Sequence, residues 1–329
     1  MLKIKKHISI VLRSGLAVGM LYYLVQSGSI DWSSLGGLAR AWEYTILAVV
    51  LFTVSAVFQA WRLQILINAH HLNLSFLASV RLTFIGLFFN TYLPGATGGD
   101  LVKIYYASKG NSEDRTEVIT ILLLDRFIGL FSLLLLPLLI VPFFIEAIET
   151  QKVLVGLLGT SLIFTIVIVV IVFIGARHDV TNSKILDWIE NKTFIGNTLT
   201  RVLHTIHSYK NNKSVIVKAL LLSFILQSTM VLVSLVISEA TNPAGADIKM
   251  IILIPLGYLA NSLPVTPGGI GVGEAALESL FNLFSLQGGA EVILGWRLIM
   301  VVVGLAGLGF YLKGEKRFVF KTGQDDVPE

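Results

Sequence analysis

Two stretches of this chain interrupt its apolar sequence in a similar way: Asn90-Thr91-Tyr92-Leu93-Pro94-Gly95-Ala96-Thr97-Gly98-Gly99-Asp100 and Asn261-Ser262-Leu263-Pro264-Val265-Thr266-Pro267-Gly268-Gly269-Ile270. In both stretches an asparagine is followed by Leu-Pro, and Leu-Pro precedes Gly-Gly by the same spacing. The similarity continues downstream, where Arg126 lies 28 residues after Gly98 and Arg297 lies 29 residues after Gly268. This agreement indicates an internal repeat.

The composition around these stretches is that of a polytopic membrane protein. Hydrophobic residues make up 54% of the 329 residues and charged residues 14%, against about 25% charged in a typical soluble domain. Mean hydropathy is +0.78. The absence of cysteine excludes a disulfide framework, a thiolate metal site and a cysteine nucleophile. A net charge of +4 is typical of basic cytoplasmic loops in a membrane protein and does not indicate nucleic-acid binding.

A helix needs about 20 apolar residues to cross the hydrocarbon core of a membrane. Six such spans are predicted: 8–26, 44–66, 117–146, 153–175, 214–238 and 289–312. Pro137 and Pro142 are expected to kink the third. Arg13 interrupts the first apolar run and no small-residue cleavage site follows it, so we interpret this run as an uncleaved helix and not as a signal peptide.

Lysine and arginine predict which segments face the cytoplasm. The basic segments are the N-terminus with Lys3, Lys5, Lys6 and Arg13, the loop 103–116, the segment 177–213 and the tail 313–329. The base-poor segments 27–43, 147–152 and 239–249 are predicted outside. Both chain ends are therefore predicted in the cytoplasm, with the protein in the cell membrane.

This topology closes only if the two interrupted stretches, 74–110 and 248–286, each return to the side from which they enter. Both are predicted to be re-entrant helical hairpins, which are tolerated where protein or a wet cavity covers the irregular backbone. The fold class is then all-α integral membrane protein, with six spans and two hairpins. The halves 1–146 and 147–312 each read helix, helix, hairpin, helix, and they begin on opposite sides. Inverted repeats of this kind point to a transport site at the membrane midplane.

The segment 177–213 is the one sizeable piece outside the predicted spans. Its apolar residues fall on one helical face: Ile195, Leu199, Val202, Leu203 and Ile206. Arg201 and Lys210 lie nearby. The segment is predicted either to lie on the anionic cytoplasmic leaflet or to pack on the protein as a linker helix.

Each hairpin is predicted to offer an anion site. Pro94, Pro264 and Pro267 end one half-helix, and the pairs Gly98–Gly99 and Gly268–Gly269 open the next, where backbone N–H groups and the helix dipole favour negative charge. Arg126 and Arg297 lie within the helices that follow. A guanidinium at mid-depth should face the interior and find a partner. That partner is either a carboxylate such as Asp100 or Glu274, or a phosphate held in bidentate fashion.

Further polar residues complete the candidate site. Asp100 and Glu274 are expected to cap their helices, to pair with the arginines or to exchange a proton. Lys103 either contacts a headgroup or is a boundary charge. Asn90 and Asn261 are expected to satisfy broken backbone or to contact ligand, and Thr97 and Thr266 belong to the same candidate set. Arg62, near the inner end of its helix, is expected to snorkel towards the membrane surface.

The two quoted stretches and the run Asp125-Arg126-Phe127-Ile128-Gly129 resemble the lysylphosphatidylglycerol synthase transmembrane-region family, also called the flippase-like domain family. The string Pro267-Gly268-Gly269-Ile270-Gly271-Val272 followed by Glu274 is the most specific part, and the resemblance covers about 8–312. The family includes the membrane half of the bacterial multiple peptide resistance factor, so the resemblance implies movement of a lipid, such as aminoacylated phosphatidylglycerol, between leaflets. Other members look like partners of polyprenyl-phosphate glycosylation. The sequence lacks the resistance factor's large cytosolic transfer domain, so lysyl transfer is not implied.

The sequence thus predicts a membrane transporter, and not an enzyme, for an anionic lipid that carries a phosphate. No cofactor, metal or nucleic acid is expected. Two alternatives stay open. One is a membrane enzyme of lipid headgroups, with Asp100 or Glu274 as base. The other is a non-transporting subunit that positions a glycosyltransferase or another lipid-modifying partner.

Overall fold

The computed structural model describes residues 18–19, 22–23, 25–26, 32–70, 72–92, 98–109, 115–177, 209, 212–243, 247–263, 265–313 and 321–322. The helices are α1 Trp32–Arg40, α2 Trp42–Ile67, α3 Phe76–Tyr92, α4 Gly98–Lys109, α5 Arg115–Ile140, α6 Ile145–Glu149, α7 Lys152–Arg177, α8 Lys213–Thr241, α9 Met250–Asn261, α10 Val272–Asn282 and α11 Gly289–Leu312. Short 3-10 helices cover Val141–Phe143 and Pro267–Gly269, and two short strands are β1 Leu72–Asn73 and β2 Lys321–Thr322. The described part of the chain is therefore all-helical apart from one small strand pair.

Within these described ranges, five helices are long and apolar enough to cross a membrane: Trp42–Ile67, Glu117–Phe143, Lys152–Val170, Ser214–Thr241 and Gly289–Leu312. They confirm five of the six predicted spans. The predicted span 8–26 lies largely outside the described residues, although those described between 18 and 26 are helical. The amphipathic segment 177–213 and the tail 313–329 also lie largely outside them.

The predicted span 117–146 is divided at its prolines. Pro137 lies inside α5. The α-helix ends at Ile140, and Pro142 sits in the first turn of the 3-10 helix that follows. A proline at that place cannot donate the next helical hydrogen bond. The chain then starts the short α6 before α7.

The two interrupted stretches form helical hairpins in which consecutive helices pack on each other: α3 on α4, and α9 on α10. Glycine makes this approach possible in the first hairpin, because a Cβ on Gly99 would lie 1.9 Å from the carbonyl oxygen of Gly86. Helices α4, α9 and α10 have 12, 12 and 11 residues. At 1.5 Å per residue they reach about 18 Å, well short of the roughly 30 Å hydrocarbon core.

One end of the bundle, called end A, gathers segments that the sequence analysis predicts to be cytoplasmic. Strand β1 pairs antiparallel with β2 near the C-terminus. The hydroxyl of Tyr209 donates to the carbonyl oxygen of Leu66 at 2.6 Å. His70 Nδ1 lies 2.6 Å from Glu117 Oε1. The residues just before α3 and the first turn of α5 therefore meet at end A, on either side of the first hairpin.

The opposite end, called end B, gathers the segments predicted outside. Gln151 Nε2 donates to the carbonyl oxygen of Leu283 at 3.0 Å. The ammonium of Lys249, just before α9, lies 5.4 Å from the ring centre of Phe284, just after α10. The entrance and exit of the second hairpin thus contact each other at end B.

Helix contacts of the first half recur in the second. The contact α2–α3 has its counterpart in α8–α9, α4–α5 in α10–α11, and α2–α5 in α8–α11. Each hairpin also packs against the long helix of the other half, α3 against α11 and α9 against α5. Glycines allow close crossing here too, since a Cβ on Gly307 of α11 would lie 2.0 Å from the carbonyl oxygen of Phe84 in α3. Such small residues are typical of helix contacts in membranes.

Candidate functional site

The break in the second hairpin is built on glycines with left-handed backbone. Gly268, Gly269 and Gly271 have φ of 66°, 70° and 83°, values that residues with a Cβ rarely adopt. Thr266 is buried, and its hydroxyl donates to the carbonyl oxygen of Ile270 at 2.8 Å. The chain therefore reverses in a fixed turn before α10 starts.

Glu274 is fully buried and caps the N-terminus of α10. Its Oε2 accepts the backbone N–H of Gly271 at 2.8 Å, which is the position of a capping-box glutamate. Its other oxygen, Oε1, accepts from Arg297 Nε at 2.7 Å, with side-chain exposures of 0% for Glu274 and 16% for Arg297. The helix cap and the ion pair thus share one carboxylate.

Arg297 connects α11 to both helices of the hairpin. Its Nη1 donates to the carbonyl oxygen of Gly268 at 2.9 Å, and its Nη2 donates to Asn261 Oδ1 at 2.7 Å. A weaker contact of 3.5 Å joins Nη2 to Glu274 Oε2. With the Nε bond, the partners found among the described residues take four of the five guanidinium N–H groups. The carboxylate that pairs with Arg297 is therefore that of Glu274.

Asn261 is the residue around which the turn closes. A Cβ on Gly269 would lie 2.2 Å from its carbonyl oxygen, and a Cβ on Gly273 would lie 2.5 Å from its Oδ1. Both positions therefore require glycine. The structure brings Asn261, Gly268, Gly269, Glu274 and Arg297 together, as a cluster we call the arginine cluster.

The aromatic residues beside the arginine cluster hold α11 in place. Trp296 lies 5.4 Å from the ring of Tyr258 and 6.1 Å from that of Phe52. The buried hydroxyl of Tyr258 lies 2.6 Å from Ser234 Oγ of α8. One turn beyond Glu274, Glu278 takes no part in the cluster and accepts the N–H of Ala290 at 3.1 Å.

The first hairpin shows related geometry with different chemistry. Asn90 Oδ1 accepts the N–H of Gly99 at 2.7 Å and so caps α4. Lys103 is 5% exposed and packs so closely on α3 that a Cβ on Gly86 would lie 2.3 Å from its Cε. Lys103 is therefore buried against α3. Pro94, Thr97 and Pro264, and the side chain of Asp100, lie outside the described part of the chain.

A second buried ion pair joins Arg62 of α2 to Asp125 of α5, the residue before Arg126. Arg62 Nε and Nη2 donate to the two oxygens of Asp125 at 2.6 and 3.0 Å, and Nη1 donates to Ser223 Oγ at 2.7 Å. The expectation that Arg62 snorkels is wrong, because its side chain is 4% exposed. The sequence signal was two opposite charges inside apolar helices, for which a partner is expected. Arg126 itself lies partly buried on α5.

A groove opens at end B between the end of α5 and the start of α9. Its volume is about 600 Å³, and its lining is apolar except for Lys249: Ile140, Phe143, Phe144, Ile248, Lys249 and Ile251. The ammonium of Lys249 lies 3.4 Å from Asp247 Oδ2. The groove is therefore at the mouth of the second hairpin.

Comparison with known proteins places the chain in a family. The profile described as lysylphosphatidylglycerol synthase TM region matches residues 10–307. The chain is 24% identical over 259 residues to a UPF0104 membrane protein of Pyrococcus horikoshii, an alignment that covers 73% of this chain and 76% of the relative. No solved structure matches the chain. The family match spans nearly all the helices described above, including both hairpins and the arginine cluster, and the chain therefore belongs to the lysylphosphatidylglycerol synthase TM-region family, membrane proteins with a lipid-related function.

Proposed function

We propose that this protein moves an anionic, phosphate-bearing lipid between the leaflets of the cell membrane, through a polar site between the two hairpins. The lipid is of the phospholipid, aminoacylated phospholipid or polyprenyl-phosphate type. The observation that carries the proposal is the arginine cluster, in which a guanidinium is held at the break of a hairpin inside an apolar bundle. Membership of the family supports a lipid as the substrate.

The geometry of the hairpins supports a re-entrant, inverted arrangement. Lys249 and Phe284 bring the two ends of the second hairpin together at end B, while the first hairpin starts and finishes near end A. The recurring helix contacts relate the halves, and an inverted repeat with broken helices is the usual setting of a midplane transport site. The charge distribution supports a cytoplasmic location for end A and for both chain ends.

The guanidinium of Arg297 offers a phosphate the edge that now holds Glu274. Nε and Nη2 contact the two oxygens of that carboxylate at 2.7 and 3.5 Å, which is the edge by which arginine binds a phosphate in bidentate fashion. In the proposed cycle the headgroup replaces the carboxylate on this edge, and the bonds to Gly268 and Asn261 keep Arg297 in position. Glu274 then keeps its bond to the N–H of Gly271. The acyl or prenyl chains stay in lipid.

Competition between Glu274 and the lipid gives a direct test. In vesicles containing fluorescent phosphatidylglycerol, leaflet exchange is followed by quenching from outside. Glu274→Gln removes the anion that competes with the lipid phosphate for Arg297. This variant should therefore bind the lipid more tightly, release it more slowly and show a lower rate of leaflet exchange. The double variant Arg297→Gln with Glu274→Gln removes the ion pair without leaving a buried charge, and should exchange no faster than protein-free vesicles.

Glu278→Gln is the matched control, because Glu278 lies on the same helix outside the cluster, and it should keep the full exchange rate. Mass spectrometry of the lipids after the assay should find every headgroup unchanged. Full exchange by a folded double variant would refute the proposal. A changed headgroup mass would favour an enzyme, and exchange only with a co-purified protein would favour a partner subunit.

A further inference from the structure

Helices α2 and α5 are joined at end A by two polar pairs that are spaced alike. Arg62 pairs with Asp125 and His70 with Glu117. Eight positions separate Arg62 of α2 from His70, which lies in the turn just after α2, and eight separate Glu117 from Asp125 on α5. The order is reversed because α2 runs towards end A and α5 runs away from it, and eight residues correspond to about 12 Å along α5. Arg62–Asp125 therefore joins the two helices inside the bundle, and His70–Glu117 joins the turn after α2 to the first turn of α5.

Tyr209 lies between these two pairs. Its hydroxyl donates at 2.6 Å to the carbonyl oxygen of Leu66, which is midway between Arg62 and His70 in sequence. Its ring meets that of His70 edge-on, with centroids 4.6 Å apart and planes at 85°. The side chain is fully enclosed by the core of α2, α3 and α5. Tyr209 comes from the segment before α8, so it ties a third part of the chain to α2 and α5.

The electrostatics keep Tyr209 in the neutral form that can donate. Burial, and then the nearby carboxylates of Glu117 and Asp125, raise the pKa of Tyr209 far above its ordinary value. The phenol thus remains a hydrogen-bond donor at any physiological pH. The two polar pairs and the hydrogen bond of Tyr209 therefore all stabilise the contact between α2 and α5 at end A.

Stability alone does not require such an arrangement. A buried ion pair loses much of its attraction to desolvation, and apolar residues of similar volume often stabilise a fold as well or better. Among the described residues, the two ends of the bundle also differ, since these polar contacts lie at end A while end B carries the groove of about 600 Å³. Polar contacts that can separate and re-form suit an end that opens in another state.

We propose that Arg62, His70, Glu117, Asp125 and Tyr209 form a latch that closes end A and must open for the transport site to face that side. The inference rests on the proposed function, but opening can be measured without lipid transport. In the state described here the latch is closed. Withdrawal of Tyr209 separates α2 from α5 and exposes the buried face of α8 beyond Ser223.

The chain contains no cysteine, so one reporter thiol reads out this opening. Ser234→Cys places the thiol on α8, at a position that is 0% exposed and lies beyond the latch from end A. The full-length protein in sealed vesicles is treated with a membrane-impermeant maleimide from one side at a time. In the Ser234→Cys background, Tyr209→Ala and Glu117→Gln should each speed labelling from the end A side at least about tenfold, which corresponds to roughly 1.4 kcal/mol. Tyr209→Phe, which keeps the ring but loses the bond to Leu66, should have a smaller effect.

The control reporter is Ser279→Cys, on an exposed position of α10, whose labelling should not change with any latch variant. Size-exclusion chromatography and thermal aggregation confirm that each variant is folded. Labelling of Ser234→Cys that is unchanged in folded Tyr209→Ala and Glu117→Gln, or that rises equally from both sides, would overturn the latch. Lipid exchange can persist in either case, so failure of the latch leaves the proposed function standing.

Discussion

Removing Arg297 should unfold the second hairpin more readily than removing Glu274, because of what each change leaves behind. Arg297→Met leaves the carboxylate of Glu274 at 0% exposure with the N–H of Gly271 as its remaining bond. Loss of one member of a buried pair typically costs about 3–5 kcal/mol. Glu274→Gln leaves Arg297 its bonds to Gly268 and Asn261, and its exposed fraction is 16%. A cost of about 1–2 kcal/mol is expected for it.

The double variant separates pairing from packing. Arg297→Met with Glu274→Gln leaves no buried charge, so it should cost clearly less than the sum of the single changes, by about 2 kcal/mol or more. Reversible unfolding by sodium dodecyl sulfate in mixed micelles measures these differences, with Glu278→Gln as a control expected within about 0.5 kcal/mol of the parent protein. A single Arg297→Met change that costs less than about 1 kcal/mol, or strictly additive effects, would refute the reasoning.

Three further predictions concern the first hairpin and end A. Gly99→Ala should destabilise the protein by several kcal/mol, because the added Cβ would lie 1.9 Å from the carbonyl oxygen of Gly86. Gly156→Ala is the control: its Cβ would have no atom within 4 Å, so the change should be neutral or slightly stabilising in the same unfolding titration. Equal effects of the two changes would contradict the close packing of α3 on α4. Asn90→Ala should cost about 1 kcal/mol through loss of the α4 cap, and Asn90→Asp, which keeps the acceptor, should recover most of it. Because burial raises the pKa of Tyr209, stability should fall as pH rises above the ordinary tyrosine pKa of about 10, and Tyr209→Phe should lessen that fall; an unchanged alkaline titration curve would show that the phenol is not buried.

The sequence predicts the helices and the hairpins from local features. Apolar runs of sufficient length mark α2, α5, α7, α8 and α11, and the Pro–Gly interruptions mark the breaks between the paired short helices. The position of Arg297, 29 residues after Gly268, predicted an arginine near the second break. A carboxylate such as that of Glu274 was one of its two expected kinds of partner, the other being a phosphate. These features are readable because each depends on residues close together in the chain or on a single charge in an apolar run.

The contacts at end A could not be predicted in the same way. Arg62 lies five residues before the end of α2, where a long basic side chain can usually reach the membrane surface. Its partner, Asp125, is 63 residues away in sequence, and no local pattern of one sequence distinguishes this carboxylate from others. The strand pair of Leu72–Asn73 with Lys321–Thr322 is two residues long, too short to show an alternating pattern.

Each hairpin packs against the long helix of the other half, and this arrangement has a consequence for biosynthesis. Helices α3 and α4 are inserted before α11 exists, although α3 packs against it, and α9 completes a surface on α5 made much earlier. The first hairpin therefore lacks its packing partner on α11 until the last helix has been translated. By the same logic the two halves, expressed as separate polypeptides in one cell, should find each other and assemble, while either one alone should be degraded.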